Sequence, residues 1–142
     1  MGNLIYLTAT RPDINFVVSY ISRFMSALKA DHWIAAKHVL CYVSGTPDYG
    51  LLYTWSSDPT LSGYTDSNRV GSVDECKSTA GYVFSLGSGA VTWTSKKQQA
   101  VALSSTEAEY RGAVKASCEV VWLRCMLVDI ACFPSRSYSL VL

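Results

Sequence analysis

The acidic residues on either side of a glycine- and aromatic-rich stretch have the clearest chemical potential in this sequence. Asp66 ends the segment LSGYTD, and Glu107 and Glu109 fall in the later segment SSTEAEY. A strand-end carboxylate that faces a carboxylate in the first turn of a helix can hold Mg²⁺, which prefers oxygen ligands. The same positions also have structural explanations, because acids stabilise helix N-termini and aspartate commonly forms turns. Spacing alone leaves both interpretations open.

Histidine and cysteine show no metal-binding pattern. His32 and His38 are six residues apart, which places them on different faces of a helix. The five cysteines include no C-x-x-C pair, so free thiols in a reducing compartment are the simpler interpretation. Cys118, Cys125 and Cys132 are seven apart and would share one side of a helix. We expect them to be small core residues, since buried free cysteine behaves as a small hydrophobe.

Composition limits the classes of function. The 142 residues are 49% hydrophobic, enough for one ordinary domain or a small domain with a structured leader. Twelve basic and eleven acidic residues give a net charge of +1, which excludes a nucleic-acid clamp driven by bulk charge but allows a few placed contacts. We expect no membrane association, and a cytoplasmic or nuclear location, because no apolar run approaches about 20 residues and no signal peptide is evident.

The first fifty residues predict a helical hairpin. Pro12 suits a first helical position, and apolar residues follow at helical spacing as far as Leu28. Asp31 is the expected cap of a second helix, which Gly45 and Pro47 would end. The two expected apolar stripes are Ile14, Val17, Ile21, Phe24, Met25 and Leu28 in the first helix, and Trp33, Ala36, Leu40 and Val43 in the second.

The middle of the chain changes to the period of extended structure and predicts an antiparallel strand meander. Its last two strands flank Gly87, Ser88 and Gly89, which predict a tight hairpin because glycine tolerates positive φ. The four expected strands are GLLYTW, LSGYTD, AGYVFSL and AVTWTS.

A long helix should follow the meander and pack on the sheet. Ser104 and Glu107 have the spacing of a capping box, and the helical period continues to about Asp129. The tail YSLVL is short enough to be a last strand beside the first one. The expected apolar stripe of the helix is Tyr110, Val114, Cys118, Val121, Cys125 and Val128.

Several long strings resemble a known family. YLTATRPDI, GYTDS, KSTAGYVFSLGSGAVTWTSKKQ and VALSSTEAEY are similar, in order and separation, to the end of the Pol polyprotein of copia-type long-terminal-repeat retrotransposons, particularly plant ones. The resemblance covers roughly residues 3 to 130. It implies an α/β, ribonuclease H-like but incomplete fold, with a reverse transcriptase C-terminal or connection segment at 1–56 and a truncated ribonuclease H-like domain at 57–142.

The resemblance also implies chemistry: hydrolysis of the RNA strand of an RNA/DNA hybrid by a two-metal mechanism with Mg²⁺. By position, Asp66 resembles the first-strand catalytic aspartate and Glu109 the helix glutamate, both as metal ligands. Glu107 then serves as the capping partner. Ser67 lies where a ribose 2′-hydroxyl could be sensed.

Basic residues in the same half could contact nucleic-acid phosphates. Lys96 and Lys97 are the leading candidates, although a pair of lysines at a strand end is also typical of a solvated surface. Weak, salt-sensitive binding of an RNA/DNA hybrid is therefore expected.

The sequence departs from the family pattern in two places. Family members usually carry an acid and a tryptophan just after the first aspartate, where this chain has Asn68 and Arg69. They also carry a third aspartate on a strand after the long helix, whereas no aspartate follows Asp129. We therefore expect a Pol-derived fragment that is inactive alone. The alternatives are a Mg²⁺-dependent ribonuclease completed in trans or by other acids, and a non-catalytic interaction domain. An incompletely covered sheet edge also predicts self-association.

Overall fold

The computed structural model describes residues 1–54, 60–68, 77–130 and 139–141. The chain forms two compact units, Met1–Leu52 and Tyr53–Leu142. Each unit has its own cluster of buried hydrophobic residues. Among the described residues, no helix combines the length and apolar character needed to cross a membrane.

The first unit is helical. It contains α1 (Gly2–Leu7), a 3₁₀ turn (Pro12–Ile14), α2 (Asn15–Ser22) and α3 (Ala30–Gly45). Pro12 lies at the start of its turn, where its missing N–H costs nothing. The sequence had not indicated α1. The buried residues of this unit that cluster together are Leu4, Ile14, Val18, Ile21 and Val39.

Two details of the helical hairpin differ from expectation. The first helix ends at Ser22, well before Leu28, and Phe24 instead stacks on the His32 ring with centroids 4.2 Å apart. Asp31 does not cap α3. Lys29 is the N-cap, and its N–H donates to Nδ1 of His32 at 3.2 Å. His32 therefore takes part at both places, through its ring contact with Phe24 and through its hydrogen bond at the start of α3.

The stripe of α3 is also rotated from its expected position. Ala36 and Val39 are buried, whereas Trp33 and Leu40 are 59% and 53% exposed. The buried face of α3 contributes Val39 to the core cluster of the first unit.

Arg11 links separate parts of the first unit through hydrogen bonds. Its guanidinium is buried and donates to both carboxylate oxygens of Asp13, with Nη2 at 2.7 Å from Oδ2. It also donates to the carbonyl and hydroxyl of Thr46, at 2.9 and 2.8 Å. Tyr42 donates to Asp13 Oδ2 at 3.0 Å. The network joins the start of the α2 region to the end of α3, and every nitrogen of the buried guanidinium donates at least one hydrogen bond.

The second unit is mixed α/β. It contains β1 (Leu61–Asn68), β2 (Thr79–Leu86), β3 (Gly89–Lys97), α4 (Ser105–Asp129) and β4 (Ser139–Val141). The sheet order is β3-β2-β1-β4, with the first three strands antiparallel and β4 parallel to β1. The expected strand in the tail forms at Ser139–Val141, but it pairs with β1, which is the second of the four strands expected in the meander. A strand at GLLYTW is wrong for residues 51–54, and Trp55 lies outside the described residues.

The hairpin between β2 and β3 is as tight as expected. Gly87 has a φ of 59° in a two-residue turn, a conformation that glycine adopts without strain. Gly89 allows the Tyr53 ring to approach its backbone, and a Cβ there would collide with the ring. The Tyr53 hydroxyl donates to the Ala90 carbonyl at 2.6 Å, which holds the chain before β1 against the hairpin.

Helix α4 packs on the sheet through a face that differs from the expected stripe. The buried side chains of α4 join Leu61 and the fully buried Phe84 in the core. The expectation that Cys118, Cys125 and Cys132 are core residues is wrong for Cys118 and Cys125, which are exposed; Cys132 lies outside the described residues. Small residues allow the helix to approach the sheet closely. The buried residues of α4 are Ala108, Gly112, Ala116, Leu123 and Leu127.

Candidate functional site

The N-terminus of α4 is fixed by its own side chains. Ser104 is the N-cap, and its Oγ accepts from the Glu107 N–H at 3.1 Å. The Glu107 carboxylate accepts from the Leu103 N–H at 2.7 Å and from Arg111 Nη2 at 2.7 Å. These bonds hold the pKa of Glu107 below its ordinary value of 4.5, the Leu103 N–H having the larger effect. Glu107 therefore has the capping role that its position indicated.

Strand β1 is joined directly to the first turn of this helix. Ser67 Oγ donates to the Ala108 carbonyl at 2.8 Å. Gln98, just after β3, donates from Nε2 to both Ser67 Oγ and the Ala108 carbonyl, each at 2.9 Å. Gly112 lies against the same point, since a Cβ there would be 3.2 Å from Ser67 Cβ. The end of β1, the end of β3 and the start of α4 therefore meet at one joint.

This joint lies between the two candidate acids in the fold. Asp66 precedes Ser67, Glu109 follows Ala108, and both acids line one cavity of about 500 Å³. Both side chains are exposed, and Asp66 Oδ1 accepts from the Ser67 N–H at 2.8 Å, which orients the carboxylate. The structure thus brings together the two residues that the sequence singled out. The remaining lining residues are Thr65, Ser67, Thr106, Tyr110 and Ala113.

The donor set of the cavity suits a hard cation. Asp66 and Glu109 offer carboxylate oxygens, and Thr106 adds a hydroxyl. Within the described ranges, no group of three histidine, cysteine or acidic residues is placed to hold a metal ion. Two carboxylates match Mg²⁺, which keeps several water ligands and completes its shell with substrate phosphates. They do not match zinc, whose structural sites need four nitrogen or sulfur ligands.

The candidate lysines lie at the same end of the sheet. Ser67 pairs with Ala80, and Ala80 pairs with Lys96, so these residues form one row across three strands. Directly paired residues share a face of the sheet. Lys97 is the next residue along β3. The row places Lys96 two strands from Ser67, a separation of about 10 Å at the usual strand spacing.

A third lysine, which sequence patterns did not indicate, belongs to this region. The pKa of Lys115 on α4 is lowered, first by burial of its ammonium group and then by the positive charge of Lys96. Glu119 partly offsets both effects. Gln98 was also missed as a structural link. Its only sequence signal is its place at the end of the string TSKKQ, because its partners come from other elements.

Comparison with known proteins places this mixed α/β chain among retroelement polyproteins. It is 41% identical, over 92% of its length, to the retrovirus-related Pol polyprotein from transposon RE2 of Arabidopsis thaliana. It is 43% identical, again over 92% of its length, to that from transposon TNT 1-94 of Nicotiana tabacum. The chain belongs to the retrovirus-related Pol polyproteins of copia-type plant transposons. The resemblance of its sequence strings to this family is confirmed.

The extent of these matches differs among relatives. The chain spans only 9% and 10% of the two Pol polyproteins. It is 45% identical to the secreted RxLR effector protein 161 of Plasmopara viticola, covering 87% of each chain. No family model matches the sequence, and no solved structure matches it. The matches therefore show the family, while activity is a separate question.

Proposed function

We propose that residues 57–142 are an incomplete ribonuclease H-like domain and that Asp66 and Glu109 are its Mg²⁺ ligands. The ancestral reaction is hydrolysis of the RNA strand of an RNA/DNA hybrid. The cavity shared by the two acids carries this proposal, because family position and geometry select the same pair. Residues 1–56 would then be the reverse transcriptase C-terminal or connection segment of the Pol region.

The chain alone should bind Mg²⁺ weakly and hydrolyse little or no hybrid. Two exposed carboxylates carry less charge than a pair of divalent cations requires, and no third acid joins them among the described residues. Mg²⁺ gives up its water reluctantly, so each missing carboxylate weakens the site. When bound, the metal would activate water and stabilise the leaving oxygen.

Binding of the hybrid would use phosphate contacts and the hydroxyl-rich end of β1. Lys96 and Lys97 lie at that end of the sheet, and Lys115 adds positive charge beside Lys96. Ser67 already donates its hydroxyl hydrogen to Ala108, so toward a ribose 2′-hydroxyl it can act only as an acceptor. Such binding should weaken steeply as salt rises.

A metal titration tests the site independently of catalysis. Mn²⁺, as a paramagnetic substitute for Mg²⁺, is added to the folded chain and followed by electron paramagnetic resonance, with Mg²⁺ as competitor. Asp66→Asn and Glu109→Gln should each weaken Mn²⁺ binding about tenfold or more, because each removes one charged ligand. Glu107→Gln is the matched control, since Glu107 is also in the first turn of α4 but does not line the cavity. Equal binding by all four proteins would show that the cavity is not a metal site.

A hydrolysis assay tests activity. The purified chain is incubated with labelled RNA/DNA hybrid and Mg²⁺ beside the Asp66→Asn variant, which exposes any contaminating nuclease. We expect no cleavage by either protein. Cleavage by the wild type that the variant loses would instead establish a working ribonuclease whose site is completed by other acids or in trans. The cavity is the observation that favours this second candidate.

A further inference from the structure

Helix α4 carries a second apolar face with a strict seven-residue repeat. Val114, Val121 and Val128 are seven residues apart, and so are Cys118 and Cys125, which fall four residues after a valine and three before the next. This alternation is the a/d pattern of a helix that pairs with another helix. We call these five residues the α4 seam.

The seam is exposed, so packing among the residues that the structure describes does not account for it. Val114, Val121 and Val128 are 45%, 59% and 57% exposed, and both cysteines are exposed. The sheet is contacted by the opposite face of α4, through residues such as Ala116 and Leu123. A surface helix needs one apolar face for its own core, and a second exposed one indicates a partner. A seven-residue period favours a helical partner over a flat surface.

We propose that the α4 seam pairs with the α4 seam of a second copy of this chain, antiparallel. The opposite charges of Lys115 and Asp129 favour a second copy of the chain as the partner. If the Trp122 residues of the two helices lie at the two-fold axis, Lys115 faces Asp129 of the second copy, because each is seven residues from Trp122. The pairing occurs twice, once on each side of the axis.

The parallel arrangement is less favourable. Arg111 lies seven residues before Cys118, on the same line as the seam. In parallel helices the two Arg111 guanidiniums would face each other across the interface, which is repulsive even with each bound to its own Glu107. Antiparallel packing separates them to opposite ends and also opposes the helix dipoles favourably.

The test measures the mass of the full chain in solution under reducing conditions, by sedimentation equilibrium over a range of concentrations. We expect a concentration-dependent particle of twice the 15.5 kDa chain mass. Val121→Glu should weaken association about tenfold or more, since it places two carboxylates in an apolar interface. Val128→Glu tests the same interface near the end of the helix and serves if Val121→Glu fails to fold by circular dichroism.

Two matched controls carry the same substitution elsewhere. Val101, before α4, is 45% exposed, and Val91, on β3 at the sheet edge, is 39% exposed. Val101→Glu and Val91→Glu should both leave the dimer intact. A monomeric wild type would overturn the proposal. Loss of the dimer in Val91→Glu but not in Val121→Glu would also overturn it and would assign self-association to the edge of the sheet.

A charge exchange tests the antiparallel register. Lys115→Glu should weaken the dimer because it faces Asp129 of the second copy with a like charge. Adding Asp129→Lys to the same chain should restore the association constant to within about threefold of the wild type. Failure of the double variant to recover would overturn the antiparallel arrangement.

Discussion

The Ser67 hydroxyl donates a hydrogen bond of 2.8 Å to the carbonyl of Ala108, 41 residues further along the chain. Each partner is the immediate neighbour of a candidate metal ligand, Asp66 in one case and Glu109 in the other. This contact between a strand and a helix, together with the two Gln98 bonds to the same groups, therefore helps to set the relative position of the two carboxylates. The acids themselves remain exposed and available to a cation.

Removing this hydroxyl should loosen the site without unfolding the unit. Ser67→Ala leaves the Ala108 carbonyl with Gln98 as donor, so we expect a loss of about 1 kcal/mol in the free energy of unfolding. Mn²⁺ binding should fall as well, because the two acids are held less firmly. Ser117→Ala is the control, since that hydroxyl bonds the Ala113 carbonyl within α4. Denaturant unfolding and the Mn²⁺ titration measure both effects, and an unchanged Mn²⁺ affinity would contradict the positioning role.

Gly112 should tolerate no branched side chain. Its missing Cβ would lie 3.2 Å from Ser67 Cβ and 3.8 Å from Ala80 Cβ, so a valine must push α4 away from the sheet. We expect Gly112→Val to destabilise the second unit by about 1–3 kcal/mol, the usual cost of overpacking. Gly45→Val, at the end of α3 with no atom within 4 Å of the added Cβ, should cost less. Thermal unfolding compares them, and equal losses would refute the close contact.

The first unit should lose stability in acid through Asp13. The Arg11 guanidinium, as the largest cause, holds the pKa of Asp13 below its ordinary value of 3.8. The folded state therefore binds fewer protons than the unfolded state near that pH. Its stabilising effect is present above pH 3.8 and is lost as the pH falls through the lower folded pKa.

A substitution makes this pH dependence measurable. Asp13→Asn should reduce stability at neutral pH and flatten the acid limb of a plot of unfolding free energy against pH. Asp48→Asn changes an acid near the same network. This variant should keep the steep acid dependence of the unfolding free energy. The opposite sign applies to Tyr42, whose pKa is raised above 10.0, chiefly by its hydrogen bond to Asp13. Its stabilising effect is lost as the pH rises through that higher value, and Tyr42→Phe should remove the alkaline loss.

The phenol of Tyr82 should ionise at a higher pH than that of an ordinary tyrosine. Burial, as the larger cause, and then Glu119 raise the pKa of Tyr82 to about 12. Glu119→Gln removes the charge but not the burial, so the pKa should fall and stay above the ordinary 10.0. Ultraviolet difference titration against Tyr82→Phe isolates this phenol from the other tyrosines. A midpoint that Glu119→Gln leaves unchanged would show that burial acts alone.

The local features of the fold were predictable because they depend on neighbouring residues. Ser104 and Glu107 cap α4 through bonds within four residues, and Gly87 supplies the positive φ of its hairpin. The spacing of the hydrophobic residues correctly predicted the positions of α4 and of three strands. The period failed at GLLYTW, where residues 51–54 form no strand, because pairing with a neighbour and not pattern makes a strand.

The sequence by itself determined the family, the long helix α4, most of the strands and the identity of the two candidate acids. Tertiary structure decided which face of α4 is buried: the face with Ala116 and Leu123 enters the core, while the stripe through Val121 stays outside. It also decided that Gln98 joins Ser67 to Ala108. The spacing of hydrophobic residues within a segment predicts whether it forms a helix or a strand. Close packing between segments depends on the shapes of the side chains and the distances between them, which only the folded chain defines.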